Sequence, residues 1–343
     1  MQSILIAVNA QSGDGELLCE LHKRNDFECI ERIKEFKQCK TIYCKFPDET
    51  FIPDPGVVLS NHKNERVKLL YFSSVKGIKY LPDRISGNFP DLEEIDGYNS
   101  SLIELNYRNL RHLYDVERIN LGMNQLKTIN EDTFGDLVYL KSLNLGSNKI
   151  KSLHPEIFAF NQNLERLNLH DNQIEFLDPQ LFKNNNELTV LILSNNLLRI
   201  IAPCTFFSLP MLTQISLGHN KISILPSLTF KNNKKLVTLW LNHNKITKID
   251  QIMLEDLTNL ETIGFSENPL DIVDFNVFEF NKNIRNIYFY KCSIRFIKNI
   301  RKVSNMKHLQ TVNFQENICI DKEYTTTCVI QLKQDLLRTC EFW

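Results

Sequence analysis

Residues 140–163 read LKSLNLGSNKIKSLHPEIFAFNQN and residues 164–187 read LERLNLHDNQIEFLDPQLFKNNNE, and laying one over the other decides the fold. Leu140, Leu143, Leu145, Asn148 and Ile150 fall on Leu164, Leu167, Leu169, Asn172 and Ile174, with Phe158 on Phe182. The same frame, Leu-x-x-Leu-x-Leu-x-x-Asn-x-Leu, recurs every 24 residues in both directions without an insertion. Its openings are Val116, Leu140, Leu164, Leu188, Leu212, Leu236, Leu260 and Ile284. The Asn recurs at Asn124, Asn148, Asn172, Asn196, Asn220, Asn244 and Asn268, and most repeats close on a Phe, at 134, 158, 182, 206, 230 and 278. A fixed period of this length is the signature of a solenoid.

Within a repeat, the alternation of Leu143 with Leu145 has the period of a short strand with one buried face, while Ile150, Leu153 and Phe158 are spaced as a looser return. Successive strands are therefore expected to stack into a parallel sheet. The Asn falls where the chain leaves the sheet, and its amide can both donate to and accept from loop backbone that would otherwise be buried unpaired. Strands stack at about 4.8 Å, whereas a column of Phe side chains on the return side needs more room. A right-handed, curved solenoid of about eleven repeats follows, a horseshoe of α/β solenoid class with the parallel sheet on its concave face and an irregular or 3-10 convex side.

The repeats resemble the 24-residue type of leucine-rich repeat found in animal extracellular proteins, including Toll-receptor ectodomains and secreted arthropod immune proteins. The stretches VKLLYFSSVKGIKYLP and NFPDLEEIDGYNSSL also resemble the first repeats of secreted insect leucine-rich proteins. That resemblance implies a secreted, extracellular, non-enzymatic module in innate immunity or extracellular signalling. An adhesion or matrix protein that associates with itself, and an enzyme, are the alternatives.

The domain plan places a signal-peptide remnant at 1–10, an N-terminal cap at 11–66, repeats at 67–318 and a C-terminal cap at 319–343. In the first segment the apolar run 4–8 precedes Val8 and Ala10, small residues that fit a cleavage site before Gln11. Cys19, Cys29, Cys39 and Cys44 crowd in before the repeats, and Cys319, Cys328 and Cys340 follow them. The open ends of a solenoid expose core, so a disulfide-stapled cap at each end has a physical purpose and implies an oxidising compartment. The first four lack a paired Cys-x-x-Cys, which argues against zinc. Cys292 takes the ladder position of an Asn. Nine cysteines leave at least one thiol free or joined to a second chain, so a dimer stays open. Asn99-Ser100-Ser101 is a glycosylation sequon.

A formal net charge of −1 predicts neither nucleic acid nor membrane as partner, and no run of about 20 apolar residues is present to span a bilayer. No nucleophile elbow, phosphate loop, zinc-protease helix or nucleotide fingerprint occurs, and neither a cofactor nor a metal site is expected. Function is left to the exposed strand positions. The central column runs Asn120, Asn144, Asn168, Ile192, Ser216, Trp240, Gly264, Tyr288 and Asn313. Its later half, with Val190 and Tyr290 beside it, presents bulky apolar groups where a soluble sheet is ordinarily polar. Val190, Ile192, Trp240, Tyr288 and Tyr290 are therefore the expected partner-binding residues. Gly264 is expected to leave a gap of roughly 10 Å between the aromatic side chains.

Two further patterns carry weaker expectations. His219 and His243 share one strand-end position in neighbouring repeats, with His170 and Asp171 earlier; too few ligands converge for a metal, but a pH-responsive contact is expected. Residues 249–280 hold eight acids and no Lys or Arg, and residues 281–307 hold eight bases and no acid. Either stacked neighbours neutralise each other, or Lys282, Arg285, Lys291 and Arg295 form a patch for an acidic protein or a sulfated glycan.

Overall fold

The computed structural model describes residues 67–325 other than 75–77, 82 and 84, together with the backbone of four earlier strands. These are β1 (Ile4–Ala10), β2 (Glu16–His22), β3 (Asp26–Arg32) and β4 (Thr41–Phe46). β2 pairs antiparallel with β3 and parallel with β4, which sets Cys19 in register with both Cys29 and Cys44. Cys39, Cys328 and Cys340 lie outside the described residues, so the bonds expected there do too.

The chain divides into two compact units, Met1–Gln173 and Ile174–Trp343. In the first, β5 (Val67–Tyr71), β6 (Glu94–Asp96), β7 (Arg118–Asn120), β8 (Ser142–Asn144) and β9 (Arg166–Asn168) pair in parallel, each with the next. In the second, β10 (Val190–Ile192), β11 (Gln214–Ser216), β12 (Thr238–Trp240) and β13 (Thr262–Gly264) do the same. On its return side β14 (Ile272–Asp274) pairs with β16 (Phe296–Lys298), while the main sheet continues through β15 (Asn286–Tyr288) and β17 (Thr311–Asn313). The antiparallel β18 (Glu323–Tyr324) ends it. The fold is the parallel-strand solenoid that the period predicts.

The three-residue strands bury their middle residue and leave the flanking residues half-exposed or exposed, except in β13, where Gly264 is buried too. Leu143, Leu191, Ile215, Leu239 and Ile263 point into the core, and Leu145, Leu193, Leu217 and Leu241 complete it. The Asn ladder holds as expected. Asn148 Nδ2 donates to Leu121 O and Leu145 O, both at 3.0 Å, and its Oδ1 accepts from Leu126 N at 3.0 Å. One buried side chain thus satisfies three backbone groups of two repeats, which would each cost on the order of 1–3 kcal/mol if left unpaired. Cys292 substitutes by donating its thiol to Phe265 O at 3.2 Å; burial pushes that thiol up to about 12.

The return sides are mostly turns, with short helices such as α1 (Ile85–Asn88), α2 (Tyr107–Leu110) and α3 (Gln251–Glu255) and a 3-10 turn at Phe275–Phe278. Phe134 and Phe158 stack there at 6.2 Å, and Phe206 and Phe230 at 5.8 Å. Both exceed the strand spacing of about 4.8 Å, so within each unit the sheet lies on the shorter side. A second column of buried Asn, unforeseen from sequence, pins these turns. Asn161 Nδ2 donates to Phe134 O and Leu137 O, both at 2.9 Å, and Asn233 and Asn281 repeat the arrangement.

Candidate functional site

On the open face of the second unit's sheet, register aligns Trp240 with Gly264 on β13 and Tyr288 on β15. A Cβ built on Gly264 would lie 2.5 Å from Trp240 Cε3 and 2.4 Å from Asn242 Oδ1. The indole therefore lies flat across the glycine and reaches the next strand but one, where its ring centroid is 5.6 Å from that of Tyr288 at an interplanar angle of 34°. The roughly 10 Å gap expected above Gly264 is not there: the missing side chain is the shelf on which Trp240 lies. Only a residue without Cβ allows this, and that role for Gly264 was missed in the sequence although Gly beside Trp in register was its signal.

The structure separates the remaining binding candidates. Ile192 shares the row of Trp240 with Ser216 between them, and Val190 stands two residues before it, opposite Gln214. Both are half-buried. Tyr290 lies off that row and donates its hydroxyl to Glu316 Oε1 at 2.6 Å, an acceptor that holds the phenol above its ordinary range. Trp240 and Tyr288 thus form the contact pair, with Val190 and Ile192 as an apolar extension and Tyr290 tethered at the side.

Charge is handled by stacking. Arg295 forks onto Asp271 with contacts of 2.6 and 2.9 Å, which lowers the carboxyl and raises the guanidinium. Arg285 faces Glu261 at 3.2 Å and Lys291 faces Glu267 at 3.9 Å. Each pair joins residues 24 apart, so three of the four cations in the expected anion patch meet a carboxylate of the preceding repeat. Lys282 has no ion pair among the described residues. Stacked neighbours thus pair three of these four cations.

At the strand ends, His219 and His243 stack with centroids 3.8 Å apart and 19° between planes, and His243 Nε2 lies 2.7 Å from Glu267 Oε1. Burial, then the neighbouring His243, holds His219 below the usual imidazole range, against the pull of Glu267. Both occupy left-handed backbone, at φ 54° and 52°. His170 and Asp171 belong to the other unit. Asn99 also has left-handed backbone (φ 56°), is half-buried, and is followed by a buried Ser100 whose hydroxyl donates to Phe72 O at 2.7 Å.

The pattern of parallel strands, Asn ladder and aromatic row bears comparison with known proteins. A family model described as leucine rich repeat matches residues 90–150, 114–174, 138–198, 162–222 and 216–270, together just over half of the chain. No curated protein matches it. Among solved structures, a chain of the Drosophila Toll–Spatzle complex is similar at TM-score 0.68 and 23% identity, covering 78% of this chain and 35% of that one. The glycosylated form of that complex gives 0.65 and 23%, covering 73% and 33%. A chain of the TLR13–ssRNA13 complex gives 0.54 and 23%, covering 72% and 43%. At these identities the likeness is one of fold, and this chain spans well under half the length of each. No helix among the described residues is long and apolar enough to cross a membrane.

Proposed function

The chain belongs to the leucine-rich repeat family, and from that premise we propose a secreted, non-catalytic recognition module that binds a protein partner on the open sheet face of its second unit. The observation that carries this is the Trp240–Tyr288 pair laid over Gly264. Aromatic side chains bury large area with few torsions to freeze, and such residues dominate binding energy at interfaces. Val190 and Ile192 extend the apolar strip. The neutralised cations at 285, 291 and 295 turn the preference away from a sulfated glycan at that end and toward a protein. The Toll–Spatzle complex, described as a hub in development and innate immunity, supports a role in extracellular signalling or innate immunity.

An extracellular location implies bonded cysteines in both caps. Among the described cysteines Cys204 and Cys292 carry free thiols and Cys319 does not, which supports a C-terminal bond from Cys319 to Cys328 or Cys340. The N-terminal bonds fall among Cys19, Cys29, Cys39 and Cys44. Glycosylation at Asn99 belongs to the same proposal.

Capture from extracellular fluid on immobilised protein tests the proposal. Wild type is expected to retain a protein that the Trp240→Ala/Tyr288→Ala double variant releases. Equal capture by both would overturn the site. Light scattering over a concentration series separates this module from a self-associating adhesion protein: a constant mass is expected, and a rising one favours the latter.

A further inference from the structure

We propose that the first unit carries a second binding site, independent of the sheet face, for a sulfate or phosphate monoester borne on a sugar-sized body. The site is a cavity of about 670 Å³ lined by Asp83, Ser86, Gly87, Arg108, Arg111 and His112. Its frame comes from α2. Asn106 caps that helix by accepting from Arg108 N at 3.0 Å, Asn109 returns the bond by accepting from Asn106 N at 2.8 Å, and Asn109 Nδ2 anchors the turn to Leu81 O at 2.7 Å. Arg108 is thereby fixed on a short, doubly capped turn. Arg111 follows it, its guanidinium carbon 5.8 Å from the Tyr107 ring centroid.

The two arginines here differ from three others in the chain. Arg118, Arg285 and Arg295 each lie against a carboxylate of a neighbouring repeat, whereas Arg108 and Arg111 make no ion pair among the described residues. One carboxylate, Asp83, lines the same cavity, and its Oδ1 takes a bond from Asn109 Nδ2 at 3.2 Å. Asp136, with Oδ2 3.5 Å from His112 Nδ1, is a second carboxylate at the edge of the site, so the cavity offers an excess of donor groups: two guanidinium forks with no ion pair among the described residues. Planar forks match tetrahedral oxyanions two bonds at a time.

His112 adds a ring nitrogen. Its backbone N–H donates to Asp136 Oδ2 at 2.8 Å, and its Nδ1 lies 2.8 Å from Tyr114 Oη, so Nε2 is the nitrogen left for a ligand. A cavity of this volume is within the usual range for small-molecule sites of roughly 300–1,000 Å³ and far exceeds a bare oxyanion. Tyr114, 48% exposed, stands beside His112 as a surface for the body that carries the ester. At Gly87 a side chain would meet nothing within 4 Å, so the mouth is open at that point and can be narrowed without disturbing the fold.

The test is calorimetric titration of the whole chain with inorganic phosphate, inorganic sulfate, a sulfated disaccharide, a phosphorylated sugar and the neutral disaccharide. Wild type is expected to bind both esters more tightly than the bare anions and not to bind the neutral sugar; the ratio of the two esters assigns the source of the anion. Arg108→Gln/Arg111→Gln, at two exposed positions, is expected to weaken ester binding at least about tenfold. Lys291→Gln leaves it unchanged. Gly87→Leu is expected to weaken the esters and spare inorganic phosphate. Absence of ester binding by wild type, or equal affinity in the double arginine variant, overturns the site.

Discussion

The same sheet position is used in opposite ways by the two units. In the first, the row Asp96, Asn120, Asn144 and Asn168 spends its polar groups on itself. Asn144 Nδ2 donates to Asn120 Oδ1 at 2.8 Å and Asn120 Nδ2 to Asp96 Oδ1 at 3.3 Å, while Asp96, Asn144 and Asn168 each accept the backbone N–H two residues on, all at 3.0 Å. Burial raises Asp96, with the Tyr98 and Asn120 bonds opposing. In the second, Ile192, Ser216, Trp240, Gly264 and Tyr288 form no such chain and offer ring faces and aliphatic surface. An exposed strand position can therefore lock a scaffold or leave its surface uncommitted, and its hydrogen-bond accounting tells which.

The largest effect expected from breaking this contrast is on the core beneath it. Leu241 is fully buried, and Leu241→Ala is expected to cost roughly 2–5 kcal/mol in denaturant unfolding. Its neighbour Trp240→Ala, losing one half-exposed aromatic contact, should cost about 1 kcal/mol. Asn144→Ala comes next. It strands Gly146 N and removes the shorter of the two bonds to Asn120 Oδ1, which keeps only Gly122 N at 3.4 Å, so about 1–2 kcal/mol of stability is expected to go with capture of the partner unchanged. If Asn144→Ala abolished capture while leaving unfolding untouched, the division between a locking row and a binding row would be wrong.

The two thiols sharpen the comparison by rate rather than energy. Cys204 is exposed and Cys292 is buried with its thiol pushed up to about 12, so of these two a disulfide reagent at neutral pH is expected to label Cys204 and spare Cys292 until denaturant is added; labelling of Cys292 in the folded protein would show that the ladder opens there. The smallest effect is the histidine stack. His219 binds a proton less readily folded than unfolded, so stability is expected to fall as pH drops through the ordinary imidazole value of about 6.5 and to level off below the depressed folded value. In His219→Phe, which keeps a ring in the stack, the melting temperature should fall less between pH 7.5 and 5.5.

Much of the fold was legible because its determinants recur. The buried Leu of each strand, the Asn from 124 to 268 and the stacked Phe all sit on one period, so each repeat confirms the last. What was not legible depended on how side chains lie. Gly264 looked like a gap until the indole of Trp240 was placed across it, and Arg295 looked like part of a patch until its bidentate contact with Asp271, 24 residues earlier, appeared. The Asn column at 161, 185, 233 and 281 was in register too, but the polar cover of a return turn and a buried backbone clamp read alike in one dimension. The arginine-lined cavity lies among the irregular first repeats, where no period guided the reading.

The most direct test of the central claim is the dissociation constant of the captured partner for wild type and for Trp240→Ala, measured beside the unfolding free energy of the same two proteins. The account predicts a loss of ~2 kcal/mol or more in affinity, about 30-fold, against about 1 kcal/mol in stability. An unchanged dissociation constant in a folded Trp240→Ala protein would contradict it.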